Sequence, residues 1–302
     1  MGPPMSLDPR VRDPYAVFRS STTPAGLYAR QKWLGESSTT QWKEDFAAAV
    51  ADLVRGQSTD GLWRGSAIET IQRLFGLHLT VRHPDPCIEK GLDALLDIAS
   101  AATSQTQPDF IQAERLHGLP FTPGPRAAIL VPATLFLCTI FGRSTAPRVL
   151  ALYDRTVQVV DQAIEHREKT SWRHNLLRAL VVNPRYTDHP AIRRIVVWLA
   201  DHQTRQGHWG VDIPFYQTLN ALAHLNTPAA DRQTKRAIDH LSATQHADGS
   251  WGVSQRLWCT FLAVHALRNK GIVQGRQFPG CRVRHGKTGP IGGAPVTRTA
   301  GG

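Results

Sequence analysis

The chain of 302 residues has no Asp-Asp pair, only four cysteines, and no apolar run near the ~20 residues a membrane-spanning helix needs. Without adjacent aspartates the Asp-Asp-x-x-Asp pattern that gathers magnesium ions is missing. Cys87, Cys138, Cys259 and Cys281 are scattered without a C-x-x-C pair, which argues against a disulfide framework and for free thiols in a reducing compartment. The longest apolar run, Ala127–Phe141, is broken by Pro132, Thr134 and Thr139 and reads as a buried helix. Residues 1–14 lack the apolar centre of a secretory signal. A cytoplasmic location is expected, with peripheral membrane contact as a further option.

Carboxylates are missing altogether after residue 269, where six Lys/Arg side chains account for more than half of the net charge of +11. The rest of the chain carries only +5, so nucleic acid is not an expected partner. The same stretch is rich in Gly and Pro. It predicts a basic, disordered tail over 271–302.

What is present is a repeat. QSTDGLWRGSAIETIQRLFGLHL from Gln57, QTRQGHWGVDIPFYQTLNALAHL from Gln203 and QHADGSWGVSQRLWCTFLAVHAL from Gln245 line up. Each has Gln, then Gly four residues on and Trp two further, followed by a Thr (Thr70, Thr218, Thr260) that opens an apolar helix. An amphipathic helix precedes each Gln: Thr40–Arg55, Pro190–Gln203 and Asp231–Gln245. The segments Pro86–Ala102, Pro125–Phe141, Pro147–Arg167 and Trp172–Val182 continue the alternation without the turn. Five outer–inner pairs follow, and Pro14–Leu34 can supply a sixth. Strand periodicity is nearly absent. The expected fold is all-α, a closed α/α toroid of five or six hairpins over 39–270, preceded by a partly helical extension over 1–38.

These Gln-x-x-x-Gly-x-Trp turns between paired helices resemble the QW repeats of squalene–hopene and oxidosqualene cyclases, and related repeats of protein prenyltransferase β subunits. The resemblance covers Thr40–Lys270. It implies an α/α toroid whose central cavity takes an apolar isoprenoid-type molecule, with the nine turn residues bracing the outside of the barrel.

The cyclase relatives place a proton-donating carboxylic acid in a D-x-D-D-T signature at an inner-helix start. Against Thr70 the preceding residues are Ser66, Ala67, Ile68 and Glu69; against Thr218 they are Pro214, Phe215, Tyr216 and Gln217. Against Thr260 they are Arg256, Leu257, Trp258 and Cys259. The signature is not matched. The acids left near the inner-helix mouths are Glu69 and Asp212, the candidate catalytic residues of a metal-free, acid-initiated cyclisation. Each also has a structural reading as a helix N-terminal carboxylate, and Asp212 as a cap ahead of Pro214. Phe215, Tyr216, Gln217, Trp258 and Cys259 are candidate substrate contacts, the aromatics because their π faces attract cations. Simple core packing is the alternative for them.

The zinc ligands of a prenyltransferase would fall on Pro214, Tyr216 and Cys259. No metal site and no cofactor are expected, and this third reading ranks below the others. No histidine pair has metal-ligand spacing along one helix. The rival to a cyclase is a non-catalytic toroid that binds a lipid or a protein partner.

Overall fold

The computed structural model describes residues 12–102, 110–165, 173–210 and 212–273. Eleven α-helices lie among them: α1 (Pro24–Lys32), α2 (Thr40–Val54), α3 (Ala67–Thr80), α4 (Pro86–Ala101), α5 (Ala127–Cys138) and α6 (Pro147–Glu165), then α7 (Arg173–Leu180), α8 (Pro190–His202), α9 (Phe215–Leu222), α10 (Pro228–Thr244) and α11 (Arg256–Asn269). A two-stranded antiparallel ribbon, Phe110–Ile111 against Gly124–Pro125, sits in the α4–α5 connection. Two-residue strands carry too short an alternation to be read from sequence.

Local chemistry sets the helix starts. Thr23, Asp85 and Thr227 each accept a backbone N–H of the following helix, and each precedes a proline at the first helical position. Ser66 caps α3 by accepting the Glu69 N–H at 3.3 Å. Asp212 does not cap α9. Pro214 occupies that position, without a side-chain bond, and Asp212 is exposed.

Contacts run α1–α3–α5–α7–α9–α11 and back to α1, closing an inner ring of six helices. Outside it α2, α4, α6, α8 and α10 pack against the inner helices that they accompany in sequence. The architecture is an α/α toroid. Helix α1 is an inner member that contacts α3 and α11, and it lies in the segment Pro14–Leu34 that the sequence offered as a sixth pair. One short helix without a turn signature gave no repeat to align. The expected tail falls outside the described residues from 274 onward.

The inner helix α5 carries Pro132 at a buried position. Proline has no N–H to offer the carbonyl four residues earlier. Here the Asn175 side chain of α7 donates to that Ala128 carbonyl at 3.2 Å and to the Thr122 carbonyl at 3.2 Å. The break in one inner helix is thereby mended by its ring neighbour.

Each Gln-x-x-x-Gly-x-Trp corner ties one hairpin to the next. Gln57 Nε2 donates to the Gly61 carbonyl (3.0 Å) and to Cys87 O at the start of α4 (2.8 Å). Gln203 repeats this with Gly207 O (3.0 Å) and Gln233 O of α10 (2.9 Å). Gln245 does so with Gly249 O (2.8 Å) and Arg12 O (3.1 Å). Trp209 and Trp251 donate through Nε1 to Leu199 O and Leu241 O, in each case four residues before the corner's Gln. The glycines are required. Gly207 has φ +88°, and a methyl there would overlap the Arg236 carbonyl oxygen. No helix among the described residues is long and apolar enough to cross a membrane.

Candidate functional site

The ring encloses a lumen to which all six inner helices contribute. A chamber of about 230 Å³ is lined by Tyr28 from α1; Phe75, His78 and Leu79 from α3, with Arg82 just beyond; and Phe136 from α5. Arg178 of α7, Asn220 of α9 with His224 beyond it, and Trp258, Phe261, Leu262 and His265 of α11 complete most of the wall. A second chamber of about 410 Å³ opens at the N-terminal ends of α1 and α11. The two share Phe75, Leu79 and Trp258, which therefore form the partition between them.

The aromatic wall is continuous. Phe261 stacks on Trp33 (5.1 Å between centroids) and on Trp258 (5.2 Å), while Phe75 meets Trp258 edge-on at 5.9 Å and Phe136 at 5.7 Å. Over the second chamber lies the segment His117–Leu119. It is pinned by Trp258 Nε1 donating to Leu119 O (3.1 Å) and by Gly118 N–H donating to Gln255 Oε1 (3.4 Å).

Among the residues lining the smaller chamber none is acidic, yet two are guanidiniums. Arg178 is buried, 7% exposed, and its Nε and Nη1 have no hydrogen-bond partner. Its guanidinium carbon stands 5.0 Å from the Phe136 ring centroid. Burial pulls its pKa down to about 10, which still leaves it charged at neutral pH. Arg82 lies 4.1 Å over the Tyr28 ring, and its Nε and Nη2 are unpartnered. It ends α3 in the left-handed region at φ +65°, its N–H donating to the Leu77 carbonyl at 3.2 Å.

Three imidazoles complete the wall. Burial, with repulsion from Arg178 and other cations, lowers the pKa of His78 to about 3, of His265 to about 3 and of His224 to about 2. All three are neutral at pH 7. Asn220 Nδ2 donates to the Leu262 carbonyl and to His265 Nδ1, both at 3.2 Å, which leaves the His265 proton on Nε2. Among the described residues no group of three His, Cys, Asp or Glu side chains is arranged to hold a metal ion.

Of the residues picked from sequence, Trp258 alone lines both chambers. Glu69 faces the outside of α3's first turn, where it pairs with Arg73 (3.2 Å) and Arg64 (3.8 Å). Asp212 is exposed in the connection before α9. Phe215 turns toward the outer layer, 4.9 Å from His240 and 5.9 Å from Trp209. Tyr216 packs edge-on against Phe215, and burial raises its pKa to about 12. Gln217 is half-buried and does not line either chamber. Cys259 Sγ donates to the Ser254 carbonyl at 3.5 Å, and burial lifts its thiol to about 11.

The residues that sequence reasoning passed over are Arg82, Arg178, Asn220 and the three histidines. One signal was present. Each aligned repeat ends in a histidine within two residues of its closing leucine: His78-Leu79, His224-Leu225 and His265-Ala266-Leu267. A search for pairs along one helix does not find them, because the ring, not the helix, brings them together.

No family model matches this chain. An ent-copalyl diphosphate synthase of Streptomyces sp. (strain KO-3988) is 31% identical over 159 residues, which is 48% of this chain and 30% of that protein. The chain thus matches less than a third of that relative's length. Among solved structures, a protein from Actinoplanes aligns over 86% of this chain and 90% of its own, with 17% identity and a TM-score of 0.52. The R337A variant of the type II terpene cyclase MstE from Scytonema, solved with its substrate geranylgeranyl dihydroxybenzoate, aligns over 88% and 91%, with 12% identity and a TM-score of 0.51. Together with the closed ring of helix pairs, these likenesses show that the chain has a class II terpene cyclase-like fold.

Proposed function

We propose that this chain is a terpenoid-cyclase-like toroid that holds an isoprenoid or other polyene chain inside its ring. The observation that carries the reading is the pair of chambers divided only by Phe75, Leu79 and Trp258. A flexible apolar chain is long and thin, and rotation of the two aromatic side chains would join the chambers into one lumen for it. Burying such a chain is favourable at roughly 25 cal/mol per Å² of apolar surface removed from water. MstE, which shares the fold at low identity, takes a geranylgeranyl compound as its substrate.

Acid-initiated cyclisation by Glu69 or Asp212 is the weaker extension. A proton-donating carboxylic acid needs a dry, low-dielectric setting. Glu69 is ion-paired at the rim and Asp212 is exposed. A carbocation would also have to form beside two guanidiniums. The described residues of the chamber wall carry no carboxyl, which favours the second reading, a toroid that binds its ligand without transforming it.

The test is calorimetric titration of the purified chain with farnesol and geranylgeraniol, followed by mass spectrometry of the recovered alcohol. Saturable binding that Val182→Trp weakens at least tenfold, by filling the chamber, supports the reading. No binding by either alcohol contradicts it. A cyclic product lost in Glu69→Gln or Asp212→Asn would restore the acid-initiated mechanism.

A further inference from the structure

The lumen combines two features that seldom share one cavity. Its wall is mainly aromatic and aliphatic, yet Arg178 and Arg82 stand in it with four guanidinium nitrogens unpartnered. Burying an unpaired charge is costly, and proteins normally supply a counter-ion from a neighbouring side chain. Among the described residues that line the chamber none supplies one, since every titratable group there is Arg, His or Tyr. The neighbouring histidines are neutral, so they add N–H donors rather than further charge.

A guanidinium presents a planar fork of donors that fits the oxygens of a phosphate or carboxylate. Arg178 is nine-tenths buried and has no acceptor at Nε or Nη1. The guanidinium of Arg82 is held 4.1 Å over the Tyr28 ring. Both nitrogens of the fork that Arg82 leaves open, Nε and Nη2, are adjacent and free to act together.

We propose that the Arg82–Arg178 end of the lumen is an oxyanion subsite, taking the acidic head of an amphiphile whose apolar tail runs past Phe75 and Trp258 into the second chamber. The inference rests on the isoprenoid reading for the tail but not for the head. It fixes an orientation: the head lies at the C-terminal end of the inner helices and the tail toward the N-terminal mouth under His117–Leu119. The anion supplies the charge that the protein omits, and bidentate contacts to one or both arginines satisfy the open nitrogens.

Three ligands with one tail isolate the head: farnesyl monophosphate, farnesoic acid and farnesol, each titrated into the full chain at low salt, with inorganic phosphate as a tailless probe. The phosphate or the carboxylate should bind at least tenfold more tightly than the alcohol, and the stronger of the two names the head. In Arg178→Met and Arg82→Met that preference should fall to about one, and Arg178→Lys should restore only part of it because an ammonium lacks the fork. Raising the salt concentration should weaken the acids more than the alcohol, a readout that needs no variant. Equal affinity for all three ligands, or a preference that survives both substitutions, overturns the subsite. Binding of inorganic phosphate without binding of any farnesyl compound would keep the subsite and overturn the isoprenoid reading. Binding of farnesol with no preference for the acids would do the reverse.

Discussion

Arg12 and Gln245 bind each other reciprocally across the seam of the ring: the Arg12 N–H donates to Gln245 Oε1 at 2.7 Å, and Gln245 Nε2 donates back to the Arg12 carbonyl at 3.1 Å. In the other two corners the glutamine reaches the first turns of an outer helix. At the last corner no outer helix follows among the described residues, and the segment at Arg12 takes that place. The backbone next to Arg12 comes so close that a methyl on Gly249 would overlap the Asp13 carbonyl oxygen. The N-terminal segment therefore acts as the sixth outer member.

Cutting this strap should open the ring. Removal of residues 1–22 is expected to lower the denaturant midpoint more than Gln245→Ala, which loses only side-chain hydrogen bonds worth about 1 kcal/mol each. Equilibrium urea unfolding of both variants checks the order. A truncated chain as stable as the full one would show that the strap is not part of the ring.

The corners should differ in cost according to burial. Gln203 is buried, and its loss removes the side-chain donor from the Gly207 carbonyl in the corner, so Gln203→Ala should cost about 2 kcal/mol or more. The partly exposed Gln245 should cost less, since water can replace it. Gly207→Ala combines a left-handed backbone with a clash against the Arg236 carbonyl, whereas Gly65→Ala has a similar φ of +63° and open space. The first should unfold the domain or nearly so. The second should cost about 1–2 kcal/mol.

Stability should fall with acid in a range set by the lumen histidines. Their folded-state values, about 3 for His78 and His265 and about 2 for His224, lie below the unfolded value of 6.5. Below pH 6.5 the unfolded chain binds protons that the folded chain refuses. Stability is therefore full above about pH 6.5 and declines as the pH drops toward 3, by at most about 1.4 kcal/mol per pH unit for each histidine. Urea midpoints at pH 7.5, 6 and 5 read this directly. His78→Phe, which keeps an aromatic ring against Phe136 and Phe141, should reduce the slope by about a third.

The ring was legible in the sequence because three corners repeat Gln, Gly and Trp at fixed spacing, and each of those residues has a physical task that other residues perform poorly. Helix α1 was less legible. It has no corner of its own, and its membership depends on Tyr28 and Trp33 meeting Phe261 from the far end of the chain. The lumen was the least legible part. A helix start can be located from caps and prolines, but Glu69 and Phe215 show that its side chains need not look inward. The polar wall comes from the last turns of the inner helices, where residues more than 180 positions apart, such as His78 and His265, share one cavity.

The lid offers a separate check on access. Trp258 holds Leu119 over the larger chamber through one hydrogen bond. Trp258→Phe keeps most of the stacking with Phe261 but releases that bond. It should speed both association and dissociation of farnesol by several-fold in stopped-flow fluorescence, while changing the equilibrium constant less. Unaltered rates would place the entry route elsewhere.

The central claim is that the ring's interior, not its outside, receives the ligand. Its most direct test is an experimental structure of the chain with geranylgeraniol. Density for the ligand is expected to thread between Phe75 and Trp258, with its oxygen toward Arg178. Density confined to an outer groove, or a lumen filled by side chains with no room for it, would rule out an interior site.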